Sequence, residues 1–315
     1  MSAEPRMDAP TLQRHLSGVT QIPILPFGED GEVDLDGHRR NVRFLIEHNH
    51  LEGGLERVVG IGGTSLVHHV DPEHLTTIVR SAGSAMGDRG VLMSGLPANM
   101  AVASRLASEQ MALERPPDVF LMMPMEGLYR PQGLLETYLR FAERHGPRGA
   151  RLVAYMKNSG DLDAHATLLA RSEYFVAVKV GSGLADLGEM VGRVDEGIRV
   201  LWGSGDIGST AAAKEGGVGH TSGSGIVCGR LCDEINNAYR RGAYGLAEGL
   251  EDRFRAFEHV RLELGYGYAA FVEALALGGS DDTVGGVGHP LNPRVPADIS
   301  AMIKAALEPL LPYHT

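Results

Sequence analysis

The chain is poor in cysteine: two among 315 residues, Cys228 and Cys232, four apart at what reads as the start of a helix. They can share a helix face, but they lack the further ligands a zinc site needs, so ordinary reduced thiols are expected. Positive charge is also short. The 29 Lys and Arg against 40 Asp and Glu give a formal charge of -11, which argues against a nucleic acid or an anionic membrane as partner, since both require a basic face to displace counterions. Long apolar runs are missing too: no segment approaches the roughly 18 uninterrupted apolar residues of a membrane span. The opening MSAEPRMDAP has no apolar core that could act as a secretory signal, so a cytoplasmic location is expected. Low-complexity tracts are absent. The 42 glycines are scattered among apolar runs, which suits a fold with many tight strand-to-helix turns acting on a small soluble substrate.

What is present is a repeat of short apolar runs with helical stretches between them. QIPIL from Gln21, RVVGI from Arg57, GVLM from Gly90, DVFLMM from Asp118, RLVAY from Arg151, FVAVKV from Phe175, RVLW from Arg199 and a weaker GHTSGSGIV from Gly219 make eight candidate strands. A spacing of about 20 to 35 residues fits a repeated βα unit, and eight in succession predict an α/β fold of the (β/α)8 TIM-barrel type. After Cys232 the strand signal stops. Helical patterns over 233–241, 245–264, 268–277 and 297–311, broken by a Gly/Pro-rich loop over 278–296, predict a C-terminal helical extension. The expected organisation is a flexible N-terminal segment over 1–16, the barrel over 17–232 and the helical region over 233–315.

Barrel active sites lie at the C-terminal ends of the strands, so the residues closing each apolar run carry the chemistry. YFVAVKVGSG puts Lys179 in a run that otherwise reads as a buried strand. Taken alone, it is better explained by a strand-end lysine whose stem lies on apolar surface while its head reaches water. Buried, the same amine would lose part of its charge and become a nucleophile. Tyr155 ends the fifth run, on the neighbouring strand, where a phenol can pass protons to and from a substrate held by an amine. The second run ends in GIGGTSLVHH, where Gly63 allows close backbone approach and Thr64 and Ser65 offer hydroxyls and amides to a carboxylate. Ser182, after Lys179, and Ser222, at the end of the eighth run, complete the candidate substrate-binding set.

Together GVTQIPILPFGEDGEVDLDG, the GGTS turn followed by DPEH, the Tyr155 strand end, KVGSG and the late VGHPLNPRVP resemble the dihydrodipicolinate synthase and N-acetylneuraminate lyase family of barrel enzymes, nearly throughout the chain from Gly18 onward. The resemblance implies a Schiff base between the lysine of a K-x-x-S-G motif and a 2-oxo acid, with Lys179, Ser182 and Gly183 matching that motif. It implies a proton-relaying tyrosine, matched by Tyr155, no dissociable cofactor, and a homodimer or homotetramer. The family's G-T-T-G-E carboxylate-binding turn is altered here: Gly62 is kept, Gly63 and Thr64 stand for the two threonines, and Leu66 replaces the acid. The first strand reads Leu25-Pro26-Phe27 in place of T-P-F, and the loop after the fourth strand, PMEGLYRP, carries Tyr129. The arginine that follows the fifth-strand tyrosine in the synthase is missing from YMKNSGD, which disfavours the synthase reaction and leaves Lys157 and Asn158 to meet the distal part of another substrate.

The implied activity is an aldolase or dehydratase acting on a 2-oxo acid such as pyruvate or a keto-deoxy sugar acid. Two further readings compete with it. Glycine and serine clusters in WGSGDIGS and HTSGSG could cradle a phosphorylated ligand, or the chain could be a degraded family scaffold that binds a keto acid without turnover. A metal-dependent aldolase would have to use His68, His69 and His74, but adjacent histidines point apart and no paired carboxylates accompany them.

Overall fold

The computed structural model describes residues 5–278 and 280–315. Eight parallel strands close into a barrel: β1 (Val19–Gln21), β2 (Val58–Ile61), β3 (Val91–Leu96), β4 (Val119–Met122), β5 (Leu152–Met156), β6 (Phe175–Val180), β7 (Arg199–Trp202) and β8 (Gly219–Ser222). Closure is made by β8 lying against β1, with Val19 opposite His220 and Gln21 opposite Ser222. Apart from the partly exposed Arg199 and Tyr155, every strand residue is buried. That is the expected condition of parallel strands covered on one face by helices and filled on the other by side chains. Eight strands are present in the expected order, but the first lies earlier than expected: β1 ends at Gln21, and residues 22–25 of the QIPIL run lie beyond it.

Helices between the strands begin where the sequence supplies caps. Asp71 accepts a hydrogen bond from the Glu73 amide ahead of Pro72–Met86, and Asn99 accepts from the amides of Ala101 and Val102 ahead of Met100–Gln110. Such side chains satisfy amides that the first helical turn leaves unpaired. Among the described residues no helix is long and apolar enough to cross a membrane.

Two expected boundaries need correction. Residues 1–16 were expected to be flexible; residues 1–4 lie outside the described residues, but Ala9–Leu16 is a helix capped by Asp8, with Leu12 and Leu16 buried. Its Gln13 bridges strand ends, donating to the Val176 carbonyl at 3.3 Å and accepting from Arg199 Nε at 3.3 Å. The helix packs here because its apolar stripe plugs the N-terminal end of the barrel. The expected division between Cys232 and Asp233 falls within the helical span Gly225–Arg240, in the part that follows its kink at Cys228. Asp233 is bound to the barrel floor through Arg57, with two N–H···O contacts of 2.6 Å between fully buried groups, and it also accepts from the His50 amide. A carboxylate buried with a guanidinium cannot leave its partner cheaply, so the helix belongs to the barrel.

Beyond it the chain is helical as expected, over Tyr244–Glu251, Gly267–Gly278 and Ala297–Leu307. The stretch read as one helix over 245–264 departs from regular geometry at its end. It passes through a turn of 3-10 helix at Asp252–Phe254 and closes in a π-helical turn at His259–Glu263.

Candidate active site

A cleft of about 510 Å³ opens at the C-terminal end of the strands. Its walls come from the ends of seven strands or the loops that follow them, and from the C-terminal helical region. Lys179, Tyr155, Gly63, Thr64, Ser204 and Arg261 are among its lining residues.

Lys179 is the fifth residue of β6, and Tyr155 is directly opposite it on β5. Period-two alternation sends both side chains to the inner face, where the Lys179 ammonium lies 4.1 Å from the centroid of the Tyr155 ring. Only 6% of Lys179 is exposed. Burial, reinforced by the charge of Lys157, pushes its pKa from 10.5 down to about 7. The strand-end lysine with a hydrated head is therefore not what the fold builds. Burial acts in the opposite sense on Tyr155, pushing the phenol up to about 12 and keeping it protonated at neutral pH. Desolvation penalises the charged form of each group, so it produces a neutral amine next to a neutral phenol.

Two glycines make room for this pair. A Cβ on Gly203 would meet Lys179 Cε and Cγ at 2.9 Å and the Val180 carbonyl at 2.7 Å. A Cβ on Gly181 would come within 3.1 Å of the Tyr155 hydroxyl. Neither position tolerates a side chain without moving a reactive group.

The turn after β2 is a single 3-10 turn, Gly63–Ser65, which ends at Leu66 in the left-handed region with φ of 51°. Gly63 and Thr64 both face the cleft. Their backbone N–H groups donate to nothing among the described residues, which leaves two amides for an anion.

Three expected site residues behave differently. Ser65 is fully buried, and its hydroxyl donates to the Pro23 carbonyl at 2.5 Å, pinning the turn to the loop after β1. Ser182 does not line the cleft, and its Oγ is enclosed without a partner among the described residues. Ser222 borders the cleft, but its hydroxyl donates to Asp206 at 2.7 Å and accepts from the Ser224 amide at 3.0 Å. Its oxygen holds the loops after β7 and β8 together: a buried Asp206 needs donors, and His220 lies 3.3 Å from its other oxygen.

The glycine and serine clusters after β7 and β8 form no separate ligand site of their own, since Ser204, Gly205, Thr221 and Gly223 line the same cleft as Lys179. Tyr129 lies in an adjoining hollow of about 280 Å³ that shares Tyr155 and Lys157 with the cleft, and its hydroxyl donates to Asp161 at 2.5 Å. Of the three histidines, His68 borders the cleft, His69 stacks against His289 with ring centroids 5.5 Å apart, and His74 is exposed on the next helix. Among the described residues no group of three His, Cys, Asp or Glu side chains is arranged to hold a metal ion. Cys228 and Cys232 are buried free thiols whose ionisation burial disfavours.

Sequence reasoning missed Arg261. It arrives from outside the barrel, on the π-helical turn, and no motif marks it; only the apolar period of the preceding helix breaking at Arg261 and Leu262 could have hinted at an irregular turn.

No family model matches the chain. It is 27% identical over 167 residues to the 4-hydroxy-tetrahydrodipicolinate synthase of Moorella thermoacetica, covering 52% of this chain, so that the match spans about half the length of that relative. With the probable 5-dehydro-4-deoxyglucarate dehydratase of Streptomyces griseus it shares 29% identity over 307 residues, 92% of this chain and 91% of the other. The crystal structure of dihydrodipicolinate synthase from Oceanobacillus iheyensis superposes with a TM-score of 0.84 at 20% identity, over 96% of this chain and 98% of that one. The last two likenesses extend over the barrel and the C-terminal helices together. In sequence the chain is similar to synthases and dehydratases of the dihydrodipicolinate synthase and N-acetylneuraminate lyase family, and its fold is the one seen in dihydrodipicolinate synthase.

Proposed function

We propose that this protein is a lyase, an aldolase or dehydratase, that activates a 2-oxo acid as an imine on Lys179. The observation that carries the reading is an enclosed lysine with its pKa lowered to about 7, facing a protonated tyrosine in the cleft. The relatives named as a synthase and as a dehydratase support a carbon-carbon or carbon-oxygen lyase.

The substrate carboxylate is held by the free amides of Gly63 and Thr64, which places C2 against the Lys179 nitrogen. The neutral amine attacks C2 while the carbonyl oxygen takes the Tyr155 proton, and the nitrogen then returns one of its own protons to the Tyr155 oxygen, leaving a neutral carbinolamine and a phenol ready to protonate its hydroxyl. That hydroxyl is protonated and leaves as water, generating a cationic imine. The imine withdraws electrons from C3. Loss of a C3 proton gives the enamine, which expels a hydroxyl group from C4 as water in a dehydration. In a retro-aldol cleavage, the C4 hydroxyl gives up its proton, the C3–C4 bond breaks toward the imine and an aldehyde leaves. Hydrolysis returns Lys179 in either case. The site needs no dissociable cofactor for these steps.

Dihydrodipicolinate synthesis is not the activity we assign. The positions after Tyr155 carry Met156 and the exposed Lys157 in place of an arginine, and the one guanidinium lining the cleft among the described residues, Arg261, lies beside the loop after β7. A homodimer or homotetramer is part of the same reading, as the family resemblance implies. Borohydride added with a 2-oxo acid tests the central step: irreversible loss of activity only when both are present is expected, and equal loss with borohydride alone would count against the imine.

A further inference from the structure

Arg261 is the least expected group in the cleft. Its side chain is 13% exposed and lies against Glu258, with Nε to Oε1 at 2.8 Å and Nη2 to Oε2 at 2.6 Å. The guanidinium also lies over the Phe271 ring, 5.2 Å from its centroid. These contacts fix the plane of the group. Nη1 has no hydrogen-bond partner among the described residues, although the side chain borders the cleft. The turn that delivers it, His259–Glu263, is π-helical, a geometry that costs regular hydrogen bonding and recurs where a side chain must be aimed at a site.

The backbone beneath it is also unoccupied. A Cβ on Gly205 would lie 3.5 Å from Arg261 Nη2, so the loop after β7 passes directly under the guanidinium. The backbone N–H groups of Ser204 and Gly205 donate to nothing among the described residues, and both residues line the cleft. The cleft thus offers unpaired amides in two places, at the turn after β2 and in the loop after β7, with Lys179 also on its wall.

Resting on the imine reading of Lys179, we infer that Arg261 and the Ser204–Gly205 amides form a second anion subsite that receives the far carboxylate of a 2-oxo diacid. A carboxylate suits this place better than a phosphate ester. The adjacent Glu258 already takes two of the guanidinium donors, and its own charge would repel a dianion more than a monoanion. Arg261 is a specificity-determining residue in this assignment: it grips the substrate end remote from the reacting carbons, and Glu258 and Phe271 position it.

Calorimetric titration of the full chain with 2-oxoglutarate and 2-oxoadipate, each compared with the monoacid of equal length, 2-oxopentanoate or 2-oxohexanoate, tests the subsite. At least one diacid is expected to bind roughly tenfold or more tightly than its monoacid. Arg261→Gln should erase that preference and leave monoacid affinity unchanged. Arg261→Lys keeps a counter-charge for Glu258, so it protects the test from a folding defect, and it too should lose most of the preference because an ammonium lacks the planar fork. Equal binding of diacid and monoacid at both lengths, or an Arg261→Lys protein that weakens both alike, would overturn the inference. Displacement of the bound diacid by millimolar inorganic phosphate would overturn the choice of carboxylate. Borohydride trapping of the same diacids reads the imine separately: a diacid preference without any trapping at Lys179 removes the imine and keeps the subsite, and pyruvate trapping without a diacid preference does the reverse.

Discussion

Lys179 and Tyr155 are paired residues on adjacent strands, and the amine lies 4.1 Å from the centre of the phenol ring. The pairing is a consequence of register. Parallel strands β5 and β6 run from Val153 opposite Ala177 to Met156 opposite Val180, after an irregularity at Leu152, so the two side chains must emerge on the same inner face. Both are then desolvated together, and the pKa values move so that near pH 7 the phenol stays protonated while a large share of the amine is free. A proton can be exchanged through substrate between such groups without creating a buried charge pair.

Replacing Tyr155 with Phe keeps the ring beside Lys179 and removes the proton. General acid-base contributions are about 100-fold to 10,000-fold. Steady-state kinetics of Tyr155→Phe should show kcat reduced by that order with KM changed little; an unaltered kcat on the physiological substrate would take Tyr155 out of the proton transfers.

The lowered pKa of Lys179 sets a pH dependence. The reactive form is the free amine, so single-turnover imine formation should rise with pH and level off above about 7. Lys157 contributes to the lowering, and Lys157→Gln should therefore move the midpoint to higher pH. The sign for stability follows from the same shift. Between about 7 and 10.5 the unfolded chain holds a proton on this lysine that the folded chain does not, so this group makes folding less favourable as pH falls across that window. Lys179→Met, which needs no proton, should unfold at higher denaturant concentration than the parent at pH 7, by a margin of order 1 kcal/mol or more. A parent as stable as the variant at pH 7 would show that the amine is not desolvated.

Gly203→Ala should damage the site from behind. The new Cβ would press on the Lys179 stem and on the Val180 carbonyl, and the backbone carbonyl cannot yield as a flexible side chain can. Overpacking of this kind costs about 1–3 kcal/mol. Chemical denaturation should register that loss, with imine formation slowed at least tenfold in the protein that remains folded; a fully active, equally stable variant would show that Lys179 has room to spare.

Much of this arrangement is legible in the sequence because the strands are short, apolar and separated by glycine-rich turns. Seven stand on their apolar runs, the first strand, Val19–Gln21, lies just ahead of its run and shares only Gln21 with it, and near the ends of the fifth and sixth runs stand the two residues that meet. Hydroxyl direction is not legible in the same way. Ser65 and Ser222 stand at strand ends like substrate ligands, yet each completes a hydrogen bond to a neighbouring loop, Ser65 to Pro23 and Ser222 to Asp206. Which of two nearby acceptors a hydroxyl chooses depends on the closure of the whole barrel. Arg261 escapes for another reason. Regular helical spacing does not describe a π turn, and the contact it makes with the cleft joins chain segments far apart in sequence. The helix Gly225–Arg240 shows the same limit, because the buried contact of Asp233 with Arg57 has no local sequence signal.

Pyruvate with aspartate semialdehyde should turn over poorly, because Lys157 is exposed where the synthase reaction calls for a fixed guanidinium after the fifth strand. A coupled condensation assay measures this directly. Turnover with that pair at a kcat/KM of about 10,000 per molar per second or above, within the range of ordinary enzymes, would assign the synthase activity after all.

The most direct measurement is peptide mapping by mass spectrometry after incubation with a 2-oxo acid and borohydride, beginning with pyruvate and continuing through hydroxypyruvate and keto-deoxy sugar acids. A reduced adduct is expected on Lys179 alone, and none on Lys179→Arg, in which a guanidinium retains its proton at every accessible pH. Lys157, exposed at the cleft mouth, and Lys214, ion-paired with Glu248, serve as internal comparisons. An adduct on either of those, or no adduct on any lysine while the protein turns over its 2-oxo acid, would contradict the imine at Lys179.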